Sequence, residues 1–424
     1  MDLTKAEHDA VQSHNAAATS RFEGLRGRNL SLDMTRGKPS AEQLSLADEM
    51  LTLVGPGSTD GEDGTDLRNY GGLAGIPEAR RLFAELLETT PEHVIVGGNS
   101  SLTMMWEVLA NAMMFGMPGG DGPWRDQAPK FLCPVPGYDR HFAICERLGI
   151  EMISIPMTAD GPDLEVVRAA VTDPSVKGMW CVPKYSNPSG EVYSDDVVTA
   201  LAEMPVAAAD FRLMWDNAYA VHHLGDGPAP LANILAACDA AGNGGRAIVF
   251  GSTSKITHAG AGVGALASSK PNIDDHLKKI FFASIGPDKI NQLRHVRFFG
   301  DMNGILAHMN KHAEIVGPKF QAVEDALQKR LGGTGLAIWT TPKGGYFVSL
   351  DVLDGCAKEI IKRCGDAGVK ITPAGATFPY GQDPRDCNIR IAPTLPSVDE
   401  INAAMEVLTA VIEVVCTEKL LREG

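Results

Sequence analysis

Residues 246–255, RAIVFGSTSK, decide the fold prediction, because an apolar run ends there in hydroxyl side chains and a lysine. Six further apolar runs are HVIVGG (93–98), KFLCPV (130–135), EMISIP (151–156), KGMWCVP (177–183), RLMWDN (212–217) and VGALAS (263–268). Longer helical patterns separate the runs, an alternation typical of βαβ units. The sequence therefore predicts an α/β domain with a mostly parallel, seven-stranded sheet covered on both faces.

A second, smaller domain is expected from the length of 424 residues. After a helical region come the strand-like segments GGYFVSLDV, VKITPAG and NIRIAPT, followed by a final helix. We predict an N-terminal arm joined to part of the small domain (1–50), a large ligand-binding domain (51–305) and a small α+β domain (306–424).

Composition indicates an ordinary soluble protein. The net charge of −15 argues against a nucleic-acid partner or an anionic membrane surface. No apolar leader and no apolar stretch of membrane length occur, and the eight cysteines show no CxxC pair or metal-ligand spacing. We expect a cytoplasmic protein with reduced thiols, no metal site and no membrane span.

The strand ends carry the candidate chemistry, since ligands bind outside the carboxyl ends of the strands in open α/β sheets. Lys255 can form a Schiff base there, while Ser252 and Ser254 can hold a phosphate. Asp216 and Tyr219 follow another run, and a carboxylate can keep a pyridine nitrogen protonated. Taken singly, a solvated lysine and a helix-capping aspartate are the commoner interpretations.

Three more runs end in suitable side chains. Asn187 lies in the turn NPSG and could aim its amide at a phenolic oxygen, although most such sequences are only turns. Tyr138 could stack on a flat ring or simply pack at the surface. The residues Gly98, Asn99, Ser100 and Ser101 open a helix and could bind an anion or merely cap it. Together these strand ends supply the parts of a pyridoxal-phosphate pocket.

The order of the motifs adds a family resemblance. RGKP, YGGLAGIPEAR, PGY, NPSG, DNAY, STSK and NIRIAPT occur along nearly the whole chain. In these motifs the chain resembles the class I, fold-type I aminotransferases that use pyridoxal 5′-phosphate, and more narrowly the bacterial type Ic aspartate aminotransferases.

The resemblance implies a role for each matching residue. Lys255 would hold the cofactor and move the substrate proton, and Asp216 would pair with the pyridine nitrogen. Tyr219 and Asn187 would bind the phenolic oxygen, and Tyr138 would stack on the ring. The residues implied around the phosphate are Gly98, Asn99, Ser100, Ser101, Ser252 and Ser254.

The resemblance also implies substrate and partner contacts. Arg390 would take the substrate α-carboxylate in a bidentate fork, with Gly37, Lys38 and Asn187 nearby. Tyr70 would reach the phosphate of the neighbouring subunit, which implies a homodimer with composite active sites.

Two features of the cation pattern stay open. The family usually has an arginine beside the phosphate in an Arg-x-Gly pattern, but here residues 260–264 read GAGVG. Hydroxyls, backbone amides or Lys38 would have to replace it. The distal carboxylate of a dicarboxylic substrate has five candidate partners, some of which could come from the partner subunit, namely Arg36, Lys38, Arg140, Lys289 and Arg294.

The predicted reaction is amino transfer from L-aspartate to 2-oxoglutarate, giving oxaloacetate and L-glutamate. Alternatives are an aminotransferase of alanine, aromatic or kynurenine type and a lyase with the same cofactor. An NAD-dependent dehydrogenase is the alternative from another class, although no GxGxxG follows the first strand.

Overall fold

The structure is a computed structural model that describes residues 1–225 and 227–424. The strands are β1 (Leu32–Met34), β2 (Val94–Val96), β3 (Lys130–Val135), β4 (Glu151–Thr158), β5 (Gly161–Pro162), β6 (Val176–Cys181), β7 (Arg212–Asp216), β8 (Ala247–Ser252), β9 (Gly264–Ser268), β10 (Ala337–Trp339), β11 (Val348–Val352), β12 (Val369–Ile371) and β13 (Asn388–Ile391).

The α-helices are α1 (His8–Arg26), α2 (Ala41–Ser45), α3 (Pro77–Leu86), α4 (Ser101–Phe115), α5 (Asp139–Leu148), α6 (Leu164–Ala170), α7 (Asp195–Glu203), α8 (Ile234–Ala240), α9 (Lys270–Ile280), α10 (Lys289–Phe299), α11 (Met302–Leu331), α12 (Ala357–Asp366) and α13 (Val398–Glu423). None of the described helices is both long enough and apolar enough to cross a membrane.

The large sheet has the strand order β2-β9-β8-β7-β6-β3-β4-β5. Parallel pairing joins β4, β3, β6, β7 and β8. Strand β9 pairs antiparallel with both β8 and β2. The seven apolar runs of the sequence correspond to seven of these strands, so the mostly parallel sheet is confirmed. The two-residue edge strand β5 is an addition to the prediction.

Helices cover both faces of this sheet. Alternate residues of a strand project to opposite faces, and in β7 Leu213 and Trp215 join one core whereas Met214 joins another. In β8, Val249 and Ile248 divide in the same way. Because helices bury both faces of the sheet, a ligand can reach it only at the strand ends, where polar side chains can contact the ligand.

A separate core lies around the smaller sheets. Strands β10, β11 and β13 pair antiparallel, and β1 pairs parallel with β12. The N-terminal residues Leu3 and Phe22 belong to this core. Helix α11 contributes Met309 to the large-sheet core and Val323 to the smaller one. Because α11 begins at Met302, it crosses the predicted boundary at residue 305, and the domain limits stay a prediction.

All eight cysteines are buried and unpaired. Cys133, for example, lies within β3 and belongs to the same core as Met214. In such positions a thiol packs as a small apolar side chain.

Candidate active site

A cavity of about 700 Å³ lies at the carboxyl ends of β3, β6, β7 and β8. Twelve predicted site residues line it, namely Gly37, Lys38, Ser100, Ser101, Tyr138, Asn187, Asp216, Tyr219, Ser252, Ser254, Lys255 and Arg390. Gly98 and Asn99 instead line a neighbouring cavity of about 270 Å³, which shares Ser100 with the first. Tyr70 lies on the surface. The structure thus brings most of the predicted residues together.

Lys255 lies just beyond the end of β8, and its side chain faces the cavity. Its Nζ is 5.0 Å from the centre of the Tyr219 ring and 5.9 Å from that of Tyr346. Burial lowers the pKa of Lys255, and the charge of Asp216 partly opposes this shift. A lowered pKa increases the fraction of neutral amine, which is the nucleophilic form.

Asp216 ends β7 with its carboxylate almost fully buried. Oδ2 lies 3.0 Å from Nε2 of His141, and the His141 ring stacks on Trp180 with ring centres 4.0 Å apart. Oδ1 is buried and has no hydrogen-bond partner among the described residues. A buried acceptor normally has a partner, so Oδ1 is suited to a proton-bearing group of a ligand. His141 was not predicted from the sequence.

The tyrosines beside Asp216 are held in their protonated forms. Burial raises the pKa of Tyr219 well above its usual value, and Tyr138 and Asp216 add to the effect. Burial likewise raises the pKa of Tyr138. Tyr219 can therefore donate a hydrogen bond at neutral pH. Tyr138 meets the His141 ring edge to face, with ring centres 4.9 Å apart.

Arg390 extends from β13 and is only 6% exposed. Its Nη1 donates to Asp139 Oδ1 at 2.9 Å and to Asn187 Oδ1 at 3.4 Å. The guanidinium lies 4.8 Å from the centre of the Phe347 ring. Nε is buried without a partner among the described residues. Arg390 therefore keeps donor capacity for an anion.

Four serines form a second part of the wall, here named the hydroxyl end (Ser100, Ser101, Ser252 and Ser254). The Oγ atoms of Ser252 and Ser254 lie 2.6 Å apart, and the Ser254 Oγ donates to Asn99 O at 3.3 Å. Ser100 precedes α4 and makes no side-chain capping bond in the described structure. Its hydroxyl thus remains available beside the helix N-terminus, which attracts anions.

Comparison with known proteins places this site in a family. A family profile described as aspartate amino-transferase matches residues 6–423. The chain belongs to the aspartate aminotransferase family.

Individual relatives agree with this aspartate aminotransferase assignment. A putative aminotransferase from Mycolicibacterium smegmatis is 50% identical, with 99% of each chain covered. An aspartate aminotransferase from Corynebacterium glutamicum is 48% identical over 91% of this chain and 90% of its own. A crystal structure of an aspartate transaminase from C. glutamicum has a TM-score of 0.97 and 45% identity, with 99% of each chain covered.

This family membership makes the chain an aminotransferase that acts on amino acids and 2-oxo acids and uses pyridoxal 5′-phosphate. The dehydrogenase and lyase alternatives do not fit the aspartate aminotransferase family. The residues present fit the cofactor. Asp216 Oδ1 offers an unused acceptor for a protonated pyridine nitrogen, the hydroxyl end offers donors to a phosphate, and Lys255 offers an amine of lowered pKa.

A glycine loop, residues 260–264, lies where the resemblance would place an arginine beside the phosphate. Gly262 precedes Val263 and Gly264, where Arg-x-Gly would place the arginine. A Cβ at Gly262 would lie 3.0 Å from the backbone of Ser254. The loop therefore packs directly on the hydroxyl end and leaves little room for a side chain.

Four cations form a third part of the wall, here named the cation end (Arg36, Lys38, Arg140 and Arg390). A Cβ on Gly37 would lie 2.7 Å from Phe347 Cζ, so the 35–38 loop meets the ring on which Arg390 lies. Three of the five candidates for a distal carboxylate line the cavity. The other two, Lys289 and Arg294, do not.

Side chains of helix α10 form hydrogen bonds to the loops around the site. This role of α10 was not predicted from the sequence. Asn291 Nδ2 donates to Gly262 O at 3.0 Å, and Gln292 Nε2 donates to Gly97 O at 3.1 Å. His295 Nε2 lies 3.0 Å from Thr253 Oγ1. The buried positions of α10 are mostly polar, including Asn291, Gln292 and His295, so the helix lacks the apolar stripe by which a buried helix face is usually recognised in a sequence.

Proposed function

We propose that this aminotransferase exchanges the amino group of L-aspartate with 2-oxoglutarate, giving oxaloacetate and L-glutamate. The observation that carries the proposal is the cation end. A dicarboxylic substrate needs two cationic partners, and Arg390 is accompanied there by Arg36, Lys38 and Arg140. These cations offset locally the repulsion that the net charge of −15 exerts on anions.

The chain's own side chains divide the chemical work. Bound pyridoxal phosphate supplies a conjugated ring that stabilises negative charge at the substrate Cα. Asp216 would keep a proton at the ring nitrogen of the cofactor, and Tyr219 and Asn187 would donate to its phenolic oxygen. With the cofactor bound, Lys255 would take the proton from the substrate Cα and would deliver it to C4′ of the cofactor.

Substrate orientation follows from Arg390. A guanidinium binds a carboxylate through two parallel hydrogen bonds, which fixes the plane of the α-carboxylate. Arg390 would supply these donors, since its Nε has no partner among the described residues, and Asn187 lies beside it. The proton on Cα is thereby presented to Lys255, and one of Arg36, Lys38 or Arg140 takes the distal carboxylate.

The experiment that tests the proposal is an absorbance spectrum of the purified protein before and after addition of aspartate, followed by 2-oxoglutarate. We expect the band of lysine-bound cofactor to shift with aspartate and to return with the oxo acid. Alanine, an aromatic amino acid and kynurenine are run in parallel. A faster response to one of these would reassign the substrate, and no band after incubation with pyridoxal phosphate would overturn the cofactor assignment.

We also propose a cytoplasmic homodimer whose subunits complete each other's active sites. Tyr70, Phe281 and Phe282 are 81%, 68% and 89% exposed in the single chain, which favours burial by a second subunit. Eight unpaired cysteines favour a reducing compartment. Sedimentation of the holoenzyme tests the dimer, and a monomer would contradict it.

A further inference from the structure

Lys289 occupies an unusual position for a cation. It is 5% exposed and no carboxylate of the described residues lies within salt-bridge distance of it. It is also the first residue of α10, at the helix end where the dipole disfavours positive charge. Burial of an ammonium without a counter-ion is costly, so its neighbours must compensate.

Those neighbours are two backbone carbonyls on either side of Tyr70. The Lys289 Nζ donates to Asn69 O at 2.7 Å and to Gly71 O at 2.8 Å. Gly286 presses on the same turn, since a Cβ there would lie 2.5 Å from Gly71 O. The ammonium therefore holds the backbone carbonyls before and after Tyr70, an arrangement here named the clamp.

The Tyr70 side chain, which this turn carries, does not contribute to the active site of its own chain. Tyr70 is 81% exposed and lines neither of the two cavities at the strand ends. The turn also contains Gly71 and Gly72 at φ of +100° and +71°, a conformation that flexible glycines adopt readily but do not enforce. The clamp supplies the constraint that this glycine sequence lacks.

We propose that Lys289 is a positioning residue, which fixes the turn so that Tyr70 enters the active site of the partner subunit and binds the cofactor phosphate there. The inference rests on the composite homodimer of the proposed function. It removes Lys289 from the candidates for the distal carboxylate and gives it a role in the other subunit's site.

Hybrid dimers with one functional site test the proposal. In the first hybrid, one chain carries both Lys255→Ala and Lys289→Met and the other is unchanged, so the working site receives Tyr70 from the chain without the clamp. In the second hybrid, the two substitutions lie on different chains, so the working site receives Tyr70 from a chain with Lys289 intact. Both hybrids contain the same substitutions once each, which matches their composition.

Two quantities are measured in each hybrid, the rate of cofactor release from the working site and kcat/KM. We expect the first hybrid to release the cofactor at least about tenfold faster, since two hydrogen bonds from a charged donor are lost, and to show a lower kcat/KM. The second hybrid should match a reference dimer of one unchanged and one Lys255→Ala chain. Equal behaviour of the two hybrids, or a defect confined to the second, would overturn the proposal.

Further controls separate the possible failures. Tyr70→Phe in place of Lys289→Met should reproduce the same difference between the two hybrids. Lys289→Gln retains an amide donor and should give a smaller difference of the same sign, which keeps the test valid if Lys289→Met does not fold. A reference dimer that fails to assemble or transaminate would refute the proposed function itself, whereas equal hybrids beside a working reference would refute only the role of Lys289.

Discussion

The hydroxyl end and the cation end of the cavity handle negative charge in different ways. At the hydroxyl end, short serine side chains are held in place by each other and by backbone, as the Ser252 and Ser254 pair shows. At the cation end the side chains are long, and Arg390 is shared among Asp139, Asn187 and the Phe347 ring. Small, fixed donors suit a resident cofactor, whereas cations with free donors suit a substrate that must enter and leave.

The largest effect is expected at Lys255, which lines the same cavity as the two ends. Lys255→Ala should reduce turnover to background because no other amine takes the Cα proton. Both ends stay intact, so the variant should still bind pyridoxal phosphate and aspartate, measurable by calorimetry. A fully active variant would refute the central assignment, and loss of all binding would show that the ends are not independent.

Removal of Arg390 should affect the cation end alone. Arg390→Ala should lower kcat/KM for aspartate. The corresponding activation free energy should rise by about 2–5 kcal/mol, as for a lost buried charge partner, while cofactor affinity changes little. Arg390→Lys is the matched control, which keeps the charge without the fork and should be intermediate. If kcat/KM were unchanged in steady-state assays, the α-carboxylate would have to bind elsewhere.

Removal of a serine hydroxyl should affect the hydroxyl end alone. Ser252→Ala should weaken cofactor binding by about 1.5–3 kcal/mol, the contribution of a hydrogen bond to a charged group. KM for aspartate should stay near its original value in the cofactor-saturated enzyme. Ser252→Thr keeps the hydroxyl and serves as the control. A rise in KM with unchanged cofactor affinity, measured by fluorescence titration, would reverse the assignment of the two ends.

The pH dependence of cofactor capture tests the effect of burial on the pKa of Lys255. Burial lowers its pKa below the usual 10.5, so the amine becomes neutral, and reactive, at a lower pH. The capture rate of cofactor-free protein should rise with pH and level off below pH 10.5, in stopped-flow absorbance. Since Asp216 raises this pKa, Asp216→Asn should move the plateau to lower pH. A plateau at or above the ordinary value would contradict the burial effect.

The smallest effect is expected at Asp139, which is 39% exposed and occupies Nη1 of Arg390. Asp139→Asn should lower KM for aspartate about two- to fivefold, since a partly exposed ion pair contributes little and its removal frees the guanidinium. Initial-rate measurements test this. A higher KM would instead mean that Asp139 orients Arg390 for the substrate.

Sequence reasoning predicted the sheet because its strands are short apolar runs that end in polar residues. It could not foresee β5, since Gly161 and Pro162 carry no strand pattern. The strand-end rule likewise located Lys255 and Asp216, because parallel strands bring their carboxyl ends to one edge.

The remaining site residues depend on tertiary packing. His141 meets Asp216 only because α5 lies on Trp180, and no local pattern encodes that contact. The choice among cations also required the structure, which places Lys289 under the Tyr70 turn and Arg140 in the cavity wall. The resemblance assigned Tyr70 to a neighbouring subunit, and this role stays a prediction.

Gly262 has a consequence for redesign of the site. Because a Cβ at this position would lie 3.0 Å from the Ser254 backbone, an arginine introduced here would require a shift of Ser254, one of the serines proposed to bind the phosphate. A phosphate-binding arginine at this position would therefore have to be introduced together with a change in the Ser252–Ser254 segment.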